Sequence, residues 1–302
     1  MKIIRKLIFS VVLIITVILS VFFCSSAVES KKAPYESLQR ISSEILSVSY
    51  RGDIANYPDN SLEGVLSAFR KGADMVSVNV MKTADGTFIL CENESLSNIC
   101  NTACESVDTA EYEALKISRL YDNTGELTDF TFATVEQLIE KTTDGMFLIL
   151  DFDWEDRDWL FEVIKSNEAV DRVFLRTKQG AADICEWINS KVIRPYVIGV
   201  YDGGIIFNAI SHINKLSDVG MPVVQYQSKN YFNVMYGSLV CDKFSEQGKA
   251  AAMAPMYSAD LCGLCTNNTA TSLSKKASQL LKLIILTDLT VISKADRHFQ
   301  KI

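Results

Sequence analysis

Short apolar runs recur along the chain with helical patterns between them, and this rhythm limits the possible folds more than any other feature. The runs are ILSVSY (45–50), ADMVSVNV (73–80), MFLILDF (146–152), RVFLRT (172–177), YVIGVY (196–201), PVVQY (222–226), AAAMAP (250–255) and KLIILTD (282–288). Most are rich in Val, Ile, Leu or Phe, the pattern of strands buried on both faces. Between them, SLEGVLSAFRKG (61–72) and TVEQLIEKTTDG (134–145) carry apolar residues at helical spacing. Asn60 or Ser61, and Thr134, stand where helix N-caps belong, and Gly72 and Gly145 stand where helices stop. Eight strands alternating with helices over about 270 residues have the length of a (β/α)8 barrel. A doubly wound open sheet shares the rhythm, so periodicity alone leaves both open. No Pro/Ser-rich linker and no internal repeat divides the region, so residues 44–302 read as one domain.

The N-terminus has a different composition. Lys2, Arg5 and Lys6 precede an uncharged apolar run from Leu7 to Phe23, and the first 27 residues contain no acid. A basic flank before such a run is read as an export signal. Its length lies between a signal core and the roughly 20 residues of a bilayer span. Residues 1–27 are therefore expected to form an N-terminal hydrophobic helix that serves as a signal peptide or a membrane anchor. Ser25 and Ala27 offer small side chains before a cut at Val28. Cys24 does not make a lipoprotein signal convincing, because Phe22 and Phe23 are bulky where small residues are usual. The basic side stays in the cytoplasm, which makes the rest extracytoplasmic. Residues 28–43 are polar, carry Pro34 and are expected to be a spacer.

Composition narrows the partners. Hydrophobic residues make up 48% and charged residues 22%, which is globular usage. Thirty basic against 37 acidic residues give a net charge of −7. With three of the basic residues in the N-terminal segment, the body has no basic surface for nucleic acid. Of eight cysteines, Cys100/Cys104 and Cys262/Cys265 are closely spaced without a nearby histidine. Local disulfides in an oxidising compartment are a simpler expectation than zinc. If Cys24 is removed, seven remain and at least one stays unpaired or bonds another chain. The polar stretch 93–113, with Cys100 and Cys104, is expected to be an excursion at the ligand face.

The segment 48–96 carries a family resemblance. It contains Arg51-Gly52 after a strand, Pro58-Asp59-Asn60-Ser61 before a helix, Ala68-Phe69, Gly72-Ala73-Asp74, and Thr83-Ala84-Asp85-Gly86 before a returning strand. EYEALKI (111–117), TFATVEQLI (131–139), LILDF (148–152) and LIILTD (283–288) follow in order. The series resembles the glycerophosphodiester phosphodiesterase family of phosphatidylinositol-phospholipase-C-like barrels. The resemblance implies an α/β (β/α)8 TIM barrel with a small hairpin insertion after the second strand. It also implies hydrolysis of a glycerophosphodiester by two histidines, with carboxylates holding one divalent cation.

Position by position, that chemistry is replaced. The first family histidine falls on Tyr50, and a phenol, which ordinarily titrates near 10, is a poor base at neutrality. The second falls on Glu92 or, one residue off, Cys91. The two carboxylate ligands of the second strand fall on Ser77 and Asn79, and a later one falls on Asp151. The family's phosphate-facing lysine falls on Asp153. Arg51 is unchanged and Asn60 is retained beside it, so Arg51, Asn60 and Asp153 are the ligand-binding candidates. Asp151, Asp153 and Glu92 could instead form an acidic pocket for a cation, with Asp153 pointing into solvent as the plainer alternative. An acidic rim without lysine would repel a phosphodiester. The only histidines, His212 and His298, lie away from strand ends and read as surface or packing residues.

Two functions follow. One is an exported or membrane-anchored barrel that has lost its catalysis and binds an unknown ligand or protein, with no cofactor. The other is a divergent phosphodiesterase of lipid metabolism using Tyr50, Arg51, Glu92 and Asp151, with Ca²⁺ or Mg²⁺ only in this case. General acid–base groups contribute about 10²–10⁴-fold, so losing both leaves little rate unless they are replaced.

Overall fold

The computed structural model describes residues 46–202 apart from 144, residues 211–212, 214–216 and 219, and the strands at 223–228, 250–255 and 283–286. The N-terminal hydrophobic segment, the spacer, His298, Cys24, Cys241, Cys262 and Cys265 lie outside the described residues. Among the described residues no helix is long and apolar enough to cross a membrane.

All eight apolar runs form strands. β1 (Leu46–Tyr50) is followed by α1 (Leu62–Arg70), β2 (Met75–Lys82) and β3 (Phe88–Leu90). After them come α2 (Tyr112–Leu115), a hairpin of β4 (Arg119–Tyr121) and β5 (Leu127–Thr131), and α3 (Val135–Lys141). β6 (Phe147–Asp151), α4 (Arg157–Ser166), β7 (Val173–Thr177), α5 (Ala181–Ser190) and β8 (Tyr196–Asp202) continue the alternation. β9 (Val223–Ser228), β10 (Ala250–Pro255) and β11 (Leu283–Leu286) complete the strand set. The parallel order runs β1–β11–β10–β9–β8–β7–β6–β2, and β2 pairs back to β1. That last pairing closes the ring, so the fold is the (β/α)8 barrel and not the open sheet.

Strand alternation divides the core into two layers. Val76, Val78, Leu148, Leu150, Val173, Leu175 and Val197 pack outward against the helices through Val65, Leu138, Leu160, Ile164 and Ile184. Their neighbours Met75, Ser77, Asn79, Ile149, Asp151, Phe174 and Arg176 therefore face the barrel axis. Phe174 fills the lower interior, stacked on Tyr196 at 5.1 Å and edge-on to Phe147 at 6.1 Å.

Local signals fix the helix starts. Ser61, not Asn60, caps α1: its Oγ accepts from Gly64 N at 3.2 Å. Thr134 and Gln137 form a reciprocal capping box at α3. The excursion after β3 is more than a solvated loop. Leu96, Cys100, Val107, Leu115, Leu120 and Phe132 join Ile89 and Cys91 in a second apolar cluster. β3 pairs antiparallel with β2 and leads directly into this unit. The insertion is thus larger than the small hairpin implied by the resemblance.

Candidate functional site

The C-terminal ends of β1, β2, β6 and β7 converge on one mouth. β1 ends at Tyr50, and the chain then turns sharply: Arg51 has φ +61° and Gly52 has φ +89°. Gly52 is required by space as well as by φ, because a Cβ there would lie 2.7 Å from the backbone carbon of Gly64 at the start of α1. The turn is pinned by Arg51 N donating to Ser77 O at 2.7 Å and Asn60 N donating to Arg51 O at 3.0 Å. Asn60, itself at φ +57°, accepts from Asn79 N through Oδ1 at 2.9 Å. It is therefore a bracket between the entry loop and β2, buried to 3% exposure, and not a group offered to a ligand.

This strain places the Arg51 side chain at the mouth. Its guanidinium donates to Asp59 Oδ2 at 2.8 Å and to Glu92 Oε1, and lies 4.8 Å from the Tyr50 ring centre. Burial works against its charge, but the hydrogen bonds and charges of Asp59, Tyr50 and Glu92 outweigh it and raise the pKa above the ordinary arginine value. Arg51 is a fixed cation bridging two carboxylates.

A second pair lies across the mouth. Tyr50 is in register with Ser77, Asn79 with Asp151, and Asp151 with Arg176. Arg176 Nη1 binds Asp151 Oδ2, and Arg176 is only 7% exposed. Burial pushes the Asp151 carboxyl up, and the positive charges of Arg176 and Lys178 offset this only in part. Arg176 escaped the reading of the sequence. Its signal was an arginine inside an otherwise apolar strand end, but its partner is visible only across the sheet. With Arg176 and Lys178 beside Asp151, the rim is not purely acidic.

The three carboxylates that could have formed an acidic pocket are each committed elsewhere. Glu92 is held by Arg51 and Asp151 by Arg176. Asp153 does not share a strand face with Asp151, because β6 ends at Asp151. Its side chain accepts from Glu155 N at 3.1 Å and caps a short 3₁₀ turn, Trp154–Asp156, where it is exposed. Among the described residues no three His, Cys, Asp or Glu side chains come together as a metal site. A hard divalent cation needs several anionic or carbonyl oxygens. Neutral Ser77 and Asn79, beside an arginine-bound Asp151, do not fit one.

Several polar atoms around the mouth are sealed from solvent and have no hydrogen-bond partner among the described residues. They are Ser77 Oγ, Asn79 Oδ1, Arg51 Nε and Asp59 Oδ1. Ser77 is 2% exposed. On its far side Glu92 also lines an open cleft of about 630 Å³, with Met81, Asn93, Glu94, Asn98 and Ile99.

The other candidates sit elsewhere. His212 packs outside the barrel, its ring 5.5 Å from that of Tyr201, and burial together with Lys215 lowers its pKa. It is a packing residue. Cys91, Cys100 and Cys104 are free thiols, so the pairing left open by the sequence does not join the latter two. Cys91 and Cys100 are buried as small apolar groups in the insertion's cluster, and burial pushes the Cys91 thiol up to about 12.

Comparison with known proteins agrees with this barrel. The model of the glycerophosphoryl diester phosphodiesterase family matches residues 51–184. No curated protein matches the chain. Among solved structures, a glycerophosphoryl diester phosphodiesterase from Parabacteroides distasonis superposes with a TM-score of 0.65 at 19% identity, over 82% of this chain and 85% of the other. The glycerophosphodiester phosphodiesterase of Thermotoga maritima gives 0.62 at 17% identity, over 83% and 98%. An Oleispira antarctica phosphodiesterase in complex with the product sn-glycerol-3-phosphate gives 0.61 at 16%, over 85% and 99%. These likenesses concern the fold. The barrel is closed, and the segment 51–184 within it is similar to the glycerophosphoryl diester phosphodiesterase family.

Proposed function

We propose that this chain does not hydrolyse glycerophosphodiesters and instead acts as a binding module, exported or held at the outer face of a membrane by its N-terminal segment. The observation that carries the reading is the Asp151–Arg176 ion pair, which stands beside neutral Ser77 and Asn79. A guanidinium already bound to the carboxylate supplies a fixed positive charge where the family resemblance implies a cation, and it needs no metal. Tyr50 and Glu92 replace the family's two histidines. Glu92 is committed to Arg51 as an ion-pair acceptor. No resident divalent cation is part of this function.

The test is hydrolysis of glycerophosphocholine and glycerophosphoglycerol by the full-length chain, with Ca²⁺, Mg²⁺ or EDTA, beside Arg51→Ala. The expected result is no turnover above the variant under any condition. Metal-dependent turnover that Arg51→Ala abolishes would favour the divergent phosphodiesterase and make Tyr50 and Glu92 its acid–base candidates.

A further inference from the structure

We propose that the end of the barrel opposite the mouth rests on an anionic membrane surface through the loop after α5, with the mouth facing away from the bilayer. This rests on reading the N-terminal segment as a membrane anchor and adds to it a contact surface and an orientation.

The parallel strands fix which end is which. The barrel strands all begin at the end remote from the mouth, so Leu46, where the chain enters β1, lies at that far end. A tether there leaves the barrel free to turn. A second contact at the same end holds it in one orientation.

The loop 191–195, which leads from α5 into β8, lies at the far end too. It presents Val192 at 87% and Ile193 at 43% exposure, side by side between Lys191 and Arg194. Apolar side chains flanked by bases suit a bilayer surface, where the apolar groups enter the headgroup layer and the bases meet anionic lipid. Arg194 Nη1 bonds to a backbone carbonyl, Val219 O at 3.1 Å, which does not neutralise its charge.

Charge along the barrel axis points the same way. Arg70, Lys141 and Lys165 stand in the last turns of α1, α3 and α4, at the tether end. Glu63, Glu136 and Asp158 stand in the first turns of the same helices, toward the mouth. Glu140 and Glu162 offset Lys141 and Lys165. Arg70 and Arg194 are exposed and form no ion pair among the described residues. The mouth end has a rival apolar group, Ile117, 75% exposed on the insertion. It stands among acids: Glu111 and Glu113 are exposed beside it, and Glu113 pairs with Lys116 at 2.5 Å. An anionic surface therefore favours the loop after α5.

Limited trypsin digestion of the full-length chain would test this, in nanodiscs of phosphatidylglycerol and phosphatidylcholine against non-ionic detergent. The nick after Lys191 should slow about fivefold or more in the discs, the scale of one basic side chain's attraction to an anionic surface. The nick after Lys116 should keep its rate. The double variant Val192→Ser, Ile193→Ser should lose most of the protection, and an unchanged nick after Lys116 shows that it is folded. Equal cleavage after Lys191 in both media, protection after Lys116 instead, or protection that the double variant keeps would each overturn the inference. Protection that grows with protein concentration in detergent would mark a second copy as the partner and overturn it too. A chain that does not co-elute with the discs removes the anchor reading and this inference together, whereas co-elution without protection removes the inference alone.

Discussion

Arg51 adopts a left-handed backbone, which costs an ordinary residue about 1–2 kcal/mol, and holds two carboxylates across the mouth. Replacing it with Ala leaves Asp59 and Glu92 facing each other without their cation. We expect Arg51→Ala to lose about 1–3 kcal/mol in urea denaturation, the discounted range for a half-buried pair. Asp53 gives the molecule an acid-sensitive anchor. It is 1% exposed and accepts from Ser67 Oγ at 2.7 Å and Lys71 Nζ at 2.6 Å, tying the entry loop to α1. Burial alone would raise its pKa, but the bonds from Lys71, Ser67 and Asn56 outweigh it and hold the carboxyl below its usual value. A depressed carboxylate stabilises the fold above the unfolded-state pKa and loses that contribution as pH falls through the folded value. Asp53→Asn should therefore cost about 2 kcal/mol at pH 7, and its deficit against the wild type should shrink as pH falls below about 4. The raised pKa of buried Cys91 predicts slow alkylation at pH 8, and the half-exposed Cys104 should react before it, as read by peptide mass spectrometry.

Strands and helix caps were the elements most legible in the sequence. The eight apolar runs were readable because a parallel barrel strand is covered on both faces and must be apolar nearly throughout. Thr134 was readable because a threonine three residues before a glutamine has a local capping role, and Thr134→Ala should cost about 1 kcal/mol in thermal or urea unfolding. The insertion was not readable as a folded unit. Leu96, Val107, Leu115, Leu120 and Phe132 build its core from irregular spacings, so no periodicity announces it. Asp153 points into solvent, the plainer of its two readings, because a 3₁₀ turn begins where β6 ends at Asp151. Arg176 was missed because register across strands, and not proximity in sequence, brings it to Asp151.

Across the whole molecule, barrel closure sets the mouth's electrostatics. Pairing β2 to both β1 and β6 brings Tyr50, Ser77, Asn79 and Asp151 to one rim, and β7 adds Arg176. The same scaffold that resembles a metal-dependent hydrolase thereby holds two guanidinium–carboxylate clusters. Breaking the deeper one should be costly: Asp151→Asn removes the carboxylate that the buried Arg176 binds, for about 3–5 kcal/mol in urea denaturation. A divalent cation bound at the mouth at 100 times its dissociation constant would add about 2.7 kcal/mol of stability through linkage. The most direct measurement is therefore the melting temperature of the full-length chain, and of Asp151→Asn, across millimolar Ca²⁺ and Mg²⁺. The expected result is no saturable rise for the wild type. A saturable rise that Asp151→Asn abolishes would contradict the replacement of the cation by arginine.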